Sequence, residues 1–350
     1  MFDYTIRRLL IAIPTLVIIS LVIFLVLSLA PNDPMAQVPM TVPPEVKEKM
    51  REALGLGQPL YVQFWKWLVQ FFWIEPQVFI DHYFGTQFAE GKLRVISWQT
   101  RAPVMDTVVE RLPQTLWVVG MSYVVAIAIS IPIGIYSAYK QYSIFDQAGT
   151  FITMVGYSIP PFFTGPLVIV IFAVNLEWLP STYDTLHKVV DWDSFLTQVK
   201  QMLLPVMVLA IQGTAQISRY MRSAILDNLN QDYVRTARAK GLRESIVILV
   251  HVLRNSMIPV ITVIALNLPL IFGGAIITEQ VFKVNGIGQQ LILAIYANDL
   301  PTIQTLTFIF ALEANVVPVS FGLLILREIG EILVYFLEIK WLISLNFPSL

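Results

Sequence analysis

Residues 9–31 read LLIAIPTLVIISLVIFLVLSLAP, without one ionisable side chain. An α-helix rises 1.5 Å per residue, so roughly 20 apolar residues cross the ~30 Å hydrocarbon core of a bilayer. This run is long enough to do so. The basic pair before it, Arg7-Arg8, would suit a secretory signal peptide. The apolar part is about twice a signal core, however, and no small-residue cleavage site follows cleanly. We read it as a retained first transmembrane helix.

The rest of the 350-residue chain has the same character. Hydrophobic residues make up 56% and charged residues only 13%, against about 25% charged in soluble domains; mean hydropathy is +0.68. Further charge-free windows run from Gln114 to Ala138, Phe151 to Asn175, Met202 to Ser218 and Ser256 to Thr278. A sixth begins near Thr302, meets Glu313 and continues apolar to Leu326. The expected fold is an all-α integral membrane protein of about six transmembrane helices. The chain has no Cys, and its three His (His82, His187, His251) are scattered. Disulfides and thiolate metal sites are excluded, and a zinc site is not expected.

Lys and Arg in short loops set the orientation. Arg7 and Arg8 place the N-terminus in the cytoplasm, and alternating spans place residues 219–255 there too. That segment carries Arg219, Arg222, Arg235, Arg238, Lys240, Arg243 and Arg254, whereas the loop 279–301 has only Lys283. The long segment after the first helix then lies outside. Within it Pro43-Pro44 can start a helix and Gly55 or Gly57 can end it. Trp65, Trp67, Phe71, Phe72 and Trp73 suit the headgroup layer, as in an interfacial amphipathic helix. The prolines of SIPPFF (158–163) predict a kink in their span. Gly134, Gly149, Gly156, Gly165, Gly213, Gly273 and Gly274 could allow close helix approach.

What could such a protein do? A P-loop needs G-x-x-x-x-G-K-[ST]. The nearest match, TQFAEGKL at 86–93, lacks its first Gly and its final hydroxyl. The chain is not expected to hydrolyse ATP or to be an enzyme. Ion-coupled carriers and intramembrane proteases place ionisable groups inside the bilayer, and the first five windows have none. An active pathway would therefore draw energy from a partner.

The basic stretch DYVRTARAKGL (232–242) offers a place for that partner. Arg235, Ala237, Arg238 and Ala239 favour helix. Asn228 or Asn230 can cap it, Asp232 suits its first turn, and Gly241 stops it. An apolar helix, ESIVILVHVLRN (244–255), then leads to Pro259, which opens or kinks the next span. A plain positive-inside loop would satisfy the same composition.

YVRTARAKGL followed by HVLRNSMIPVITV resembles the cytoplasmic coupling loop of ABC importer permeases. In that family E-A-A, three residues and Gly precede an apolar-Pro pair. Arg235-Thr236-Ala237 stand in the E-A-A positions, followed by Gly241, and Ile258-Pro259 close the pattern, with Pro259 eighteen residues beyond Gly241. Arg in place of Glu is similar to the dipeptide, oligopeptide and nickel permease branch. YTIRRLLIAIPTL (4–16), LAPNDP (29–34), REALGLGQPLYVQF (51–64), ERLPQTL (110–116), GYSIPPFF (156–163) and TEQVFKVNGIGQQLILAI (278–295) resemble the same branch in order. Residues 73–103 look like an insertion, and the sequence after Ala311 departs from the family.

The resemblance implies an N-terminal transmembrane helix (1–31), an extracytoplasmic scaffold (32–113), a permease core (114–311) and a divergent tail (312–350). It implies a subunit of the bacterial inner membrane that imports a small solute, di- or oligopeptides first, oligosaccharides or opine-like solutes as alternatives. Its partners would be a second homologous permease, two ABC ATPases, an extracytoplasmic solute-binding protein and membrane lipid, with no nucleic acid. ATP and Mg would sit on the ATPases, and this chain would bind no cofactor or metal. The coupling residues would be Asp232, Tyr233, Arg235, Thr236, Ala237, Arg238, Lys240, Gly241 and Pro259. A lipid-bound scaffold or a passive channel is the reading from other classes.

Overall fold

The computed structural model describes residues 2–28, 43–45, 48, 57–267, 271 and 275–312. From the N-terminus, α1 is Phe2–Ser28, α2 is Leu60–Val69 and α3 is Glu75–Phe84, the last two joined by a π-turn at Gln70–Ile74. α4 (Val104–Thr115) and α5 (Met121–Tyr139) are joined by another, Leu116–Gly120. Next come α6 (Ile144–Ser158) and α7 (Pro161–Val168), the latter running into a π-turn at Ile169–Asn175. α8 is Trp192–Leu229 and α9 is Asp232–Ala239. α10 (Leu253–Asn267) is entered from Glu244–Ile246 through a π-turn at Val247–Val252. α11 (Ile276–Phe282), α12 (Ile287–Tyr296) and α13 (Leu300–Leu312) follow. The described residues hold no strand beyond an isolated bridge between Ile96 and Pro103.

This is an all-α membrane protein. Helical runs Val104–Tyr139, Trp192–Leu229 and Glu244–Asn267 are each long and apolar enough to cross a bilayer. In α1 the buried residues Leu16, Ser20 and Phe24 recur every four positions, while Leu10, Ile13, Ile18, Val22 and Val26 are exposed. One packed stripe on an otherwise apolar exterior is what hydrocarbon solvent permits.

Several expected windows change shape. Phe151–Asn175 is not one straight span: α6 and the α7 run meet at 105°. Ile159 is extended (ψ 120) ahead of Pro160, and Pro160 is itself extended before Pro161, since a residue before proline is pushed out of the helical region. Met202–Ser218 is only the middle of α8, whose polar ends continue the helix for 38 residues. The window beginning at Ser256 starts earlier, because 244–255 is helical and continuous with α10. Thr278 belongs to α11 instead. Pro259 lies inside α10 and does not open it. Of the sixth window, Leu300–Leu312 is helical; Glu313 and the rest lie outside the described residues, as does the glycine pair Gly273-Gly274. Of the expected helix after Pro44, the described residues Pro44, Glu45 and Glu48 are helical.

The chain divides into two compact units. Of the described residues, the first takes those up to Thr115 and those from Asn285 to Leu312. Its centre is aromatic: Trp67 stacks on Phe71 at 5.4 Å and meets Phe308 edge-on at 5.5 Å, and its indole N–H donates to Thr305 Oγ1 at 3.4 Å. Trp67 is therefore core, while Trp65 and Trp73 on the same helical run are two-thirds exposed and remain fit for an interface. Residues 85–103 fold back after Gly85, which takes φ 67. Asp81 accepts from the Thr86 hydroxyl and the amides of Phe88 and Ala89. Arg94 bridges the buried Glu75 and Asp106, each at 2.7 Å. Burial pulls the Arg94 pKa down, but those two carboxylates outweigh it and raise it above the ordinary arginine value.

The second unit takes Leu116–Val284. α5 and α8 approach closely because they meet at glycine. A Cβ on Gly134 would stand 2.6 Å from Met221 Cβ, and one on Gly213 2.9 Å from Ala126 Cβ. Gly156 meets Ile211 of α8 at 2.6 Å and Gly165 meets Val281 of α11 at 2.9 Å in the same way. Gly149 has nothing within 4 Å among the described residues. Small residues replace absent hydrophobic driving force with close contact inside a bilayer.

Candidate functional site

α9 is a short amphipathic helix standing on the core of the second unit. Val234 and Ala237, three residues apart, are buried in a cluster with Ile225, Val247, Val252 and Met257. Asp232, Tyr233, Arg235, Thr236, Arg238, Lys240 and Gly241 are exposed. Of the residues expected to form a contact surface, Ala237 thus faces inward and acts as the foot of the helix. Pro259 is exposed on α10, apart from this surface.

The ends of α9 are tightly made. The N-cap is Gln231, not Asn228 or Asn230, and it makes no side-chain cap. Asn228 is occupied otherwise: its amide donates to Ala224 O at 2.8 Å and its oxygen accepts the Tyr233 hydroxyl at 2.6 Å. Asn230 ends α8. At the other end Gly241 takes φ 76. Its amide donates to Arg238 O at 2.9 Å, and the Leu242 amide donates to Ala237 O at 3.4 Å. These two bonds form a Schellman motif, which requires a left-handed residue and so favours Gly.

One clamp carries the turn into the next helix. Arg238 pairs with Glu244 at 2.6 Å, just after Gly241 and at the start of the run into α10. That bond raises the guanidinium pKa. Arg238 is thus engaged within the chain. Arg235 makes only an exposed 3.4 Å contact to Asp232, so Arg235, Lys240 and Arg243 present the accessible positive charge. Such a surface can hold an acidic or polar protein cleft. Among the described residues no three His, Asp or Glu side chains are grouped to hold a metal.

The same unit holds a polar lock that the sequence reading missed. Asp146, 3% exposed, accepts Arg222 Nε at 2.7 Å, Arg222 Nη2 at 2.8 Å, the Ser137 hydroxyl at 2.5 Å and the Tyr142 amide at 2.9 Å. It ties the end of α5, the 140–143 turn, α6 and α8 at one point. Ser256 Oγ adds a bond to Ala224 O at 2.9 Å, joining α10 to α8. One local signal was available: Ser143-x-x-Asp146 is a helix-start pattern, and Ser143 does cap α6 by accepting the Asp146 amide. The Arg222 partner, 76 positions on, left no local trace.

Comparison with known proteins completes the picture. Residues 130–335 match the binding-protein-dependent transport system inner membrane component family, and residues 1–119 match its N-terminal membrane component. The chain belongs to this family: it is an ABC importer permease of the dipeptide, oligopeptide and nickel branch, a multi-pass inner membrane transport subunit. It is 36% identical over 319 residues to oligopeptide transport system permease protein AppB of Bacillus subtilis (strain 168), covering 89% of this chain and 93% of that one. It is 36% identical over 314 residues to glutathione transport system permease protein GsiC of Escherichia coli (strain K12), with the same coverage. GsiC of Salmonella typhimurium (strain LT2) is 35% identical over 317 residues, again 89% and 93% covered.

Proposed function

We propose that this chain is the transmembrane subunit of an ATP-driven importer of di- and oligopeptides, and that α9 is its contact with an ATPase. The reading is carried by one observation: a rigid basic helix, footed by Val234 and Ala237, stopped by Gly241 and clamped to α10 through Arg238–Glu244. A push on such a helix moves α8 and α10 together. Asp232, Tyr233, Arg235, Thr236 and Lys240 supply the contact; Ala237, Arg238, Gly241 and Pro259 pass the movement on. Any ligand-driven shift needs different contacts in the two states, and ATP binding and hydrolysis on partner ATPases supply that difference here.

The remaining parts follow from the same scheme. A second homologous permease completes the pathway, two ATPases hold ATP and Mg, and a solute-binding protein delivers the solute. The N-terminus and α9 lie on the cytoplasmic side, consistent with the Lys and Arg excess there. Both sets of relatives are named for amide-linked solutes, oligopeptides and glutathione, which supports peptides here.

The test is co-purification with the permease and ATPases encoded beside it, repeated with Arg235→Glu, Lys240→Glu and Gly241→Pro. ATPases should be recovered with the wild-type chain and lost from the variants. Recovery from none of them, or equally from all, would overturn the assignment of α9.

A further inference from the structure

The first unit contains a cavity of about 680 Å³, within the ~300–1,000 Å³ typical of small-molecule sites. One wall is the last part of α1, Phe24, Leu27 and Ser28. Measured from Leu9, where the apolar run begins, these residues stand about 22–29 Å along the helix. That is the far edge of a ~30 Å hydrocarbon core. The cavity therefore opens at headgroup depth. The helical run that lines it with Gln63, Lys66, Trp67 and Gln70 also carries the exposed Tyr61, Trp65 and Trp73, residue types that favour a membrane interface.

Its polar lining has one sign. Lys66, Arg94 and Arg101 contribute to it, with no Asp or Glu among the described lining residues. Arg94 is already neutralised by Glu75 and Asp106, which leaves Lys66 and Arg101. Gln304 also lines it, is 6% exposed, and its side-chain N–H donor has no partner among the described residues.

The wall bearing Arg101 is built to stay in place. Asp299, 1% exposed, accepts the Ser97 hydroxyl, the Trp98 amide at 2.9 Å and the Thr302 hydroxyl at 2.8 Å. Ser97 in turn accepts the Thr100 amide at 3.0 Å. Arg101 itself sits at φ 61, a left-handed conformation that is unfavourable for a non-glycine residue.

We propose that this cavity binds one anionic phospholipid, its phosphate between Lys66 and Arg101 and its acyl chains along Phe24 and Leu27. Under the orientation proposed above, the lipid comes from the outer leaflet; the site itself does not depend on what the protein carries. The glycerol and headgroup hydroxyls fill the polar half, where the Gln304 amide finds an acceptor. The bound lipid would fix the outer segment against the first transmembrane helix.

The test uses the purified full chain in micelles with spin-labelled phosphatidylglycerol and spin-labelled phosphatidylcholine. Wild type should prefer phosphatidylglycerol about thirtyfold, the order expected from two cations near an anionic headgroup. Lys66→Gln with Arg101→Gln should abolish the preference, while Lys92→Gln, whose ammonium donates to Gln77 away from the cavity, should retain it. Thermal unfolding of each variant separates lost binding from lost fold, and Gln304→Leu supplies a second variant that leaves both cations in place and should weaken the preference. Equal affinity for both lipids in wild type would overturn the proposal, as would an unchanged preference in the folded double variant. Displacement by soluble glycerol phosphate at the same concentration would assign the site to a free phosphate and refute the lipid. None of these readouts involves ATPase recovery, so this proposal and the function proposed above can fail separately.

Discussion

Arg222→Met would leave Asp146 charged in a site that exposes only 4% of its side chain. The carboxylate keeps the Ser137 hydroxyl and the Tyr142 amide but loses both guanidinium bonds. Removing one partner of a fully buried ion pair costs about 3–5 kcal/mol. The Arg222 side chain is 28% exposed, so solvent screens part of the attraction, and about 2–3 kcal/mol is expected. Asp146→Asn should cost less, about 1–2 kcal/mol, because the arginine it abandons can reach water while the buried site loses its charge. Asp146→Leu combined with Arg222→Met should be less destabilised than Arg222→Met alone, since no buried charge is left behind. Reversible unfolding in mixed SDS and maltoside micelles, followed by tryptophan fluorescence, measures all four proteins. Arg222→Met within about 0.5 kcal/mol of wild type, the range of a neutral surface change, would refute the lock. So would Asp146→Asn proving the costlier single variant. In the assembled importer the same variants should weaken solute-stimulated ATP hydrolysis, because the lock ties α8 to the helices beside it.

The other predictions concern single backbone positions and one carboxylate. Gly134→Ala forces a methyl against Met221 and Ser218 O and should destabilise by about 1–3 kcal/mol in the same unfolding assay. Gly149→Ala meets nothing and should be neutral or stabilise by up to about 1 kcal/mol. Gly241→Ala has open space but φ 76, so it should loosen the turn by about 1 kcal/mol and lower ATPase recovery less than Gly241→Pro does. Asp191 caps α8, and the Ser194 side chain and amide hold its carboxyl below the usual range. Its contribution is present above the ordinary aspartate pKa of about 3.9 and is lost as pH falls through the lower folded value. Protection of the Ser194 amide, measured against its intrinsic exchange rate at each pH, should fall in that acid window, and Asp191→Ala should remove that fall.

Much of this protein was legible before any fold was known. Charge-free windows announce membrane helices because a bilayer tolerates few ionisable groups, a penalty each residue carries by itself. The Gly241 stop was equally local: a Schellman turn needs one left-handed residue, and RTARAKG supplies it. The bend at SIPPFF was foreseeable for the same reason, although its 105° was not. The motif around Arg235 led to the right family.

Tertiary structure decided the rest. Nothing in WKW says that Trp67 is core and Trp65 surface; Phe308 and Thr305, more than two hundred residues on, make that choice. Gly134 and Gly149 look alike in sequence, yet Met221 stands against one and nothing against the other. Asp146 meets Arg222, and Asp299 holds Ser97, only once the chain has folded. Hydropathy, helix stops and proline bends are properties of a residue and its neighbours, so the linear sequence contains them. Burial, ion pairing and close approach are properties of pairs, and which pairs meet is fixed only when the helices pack.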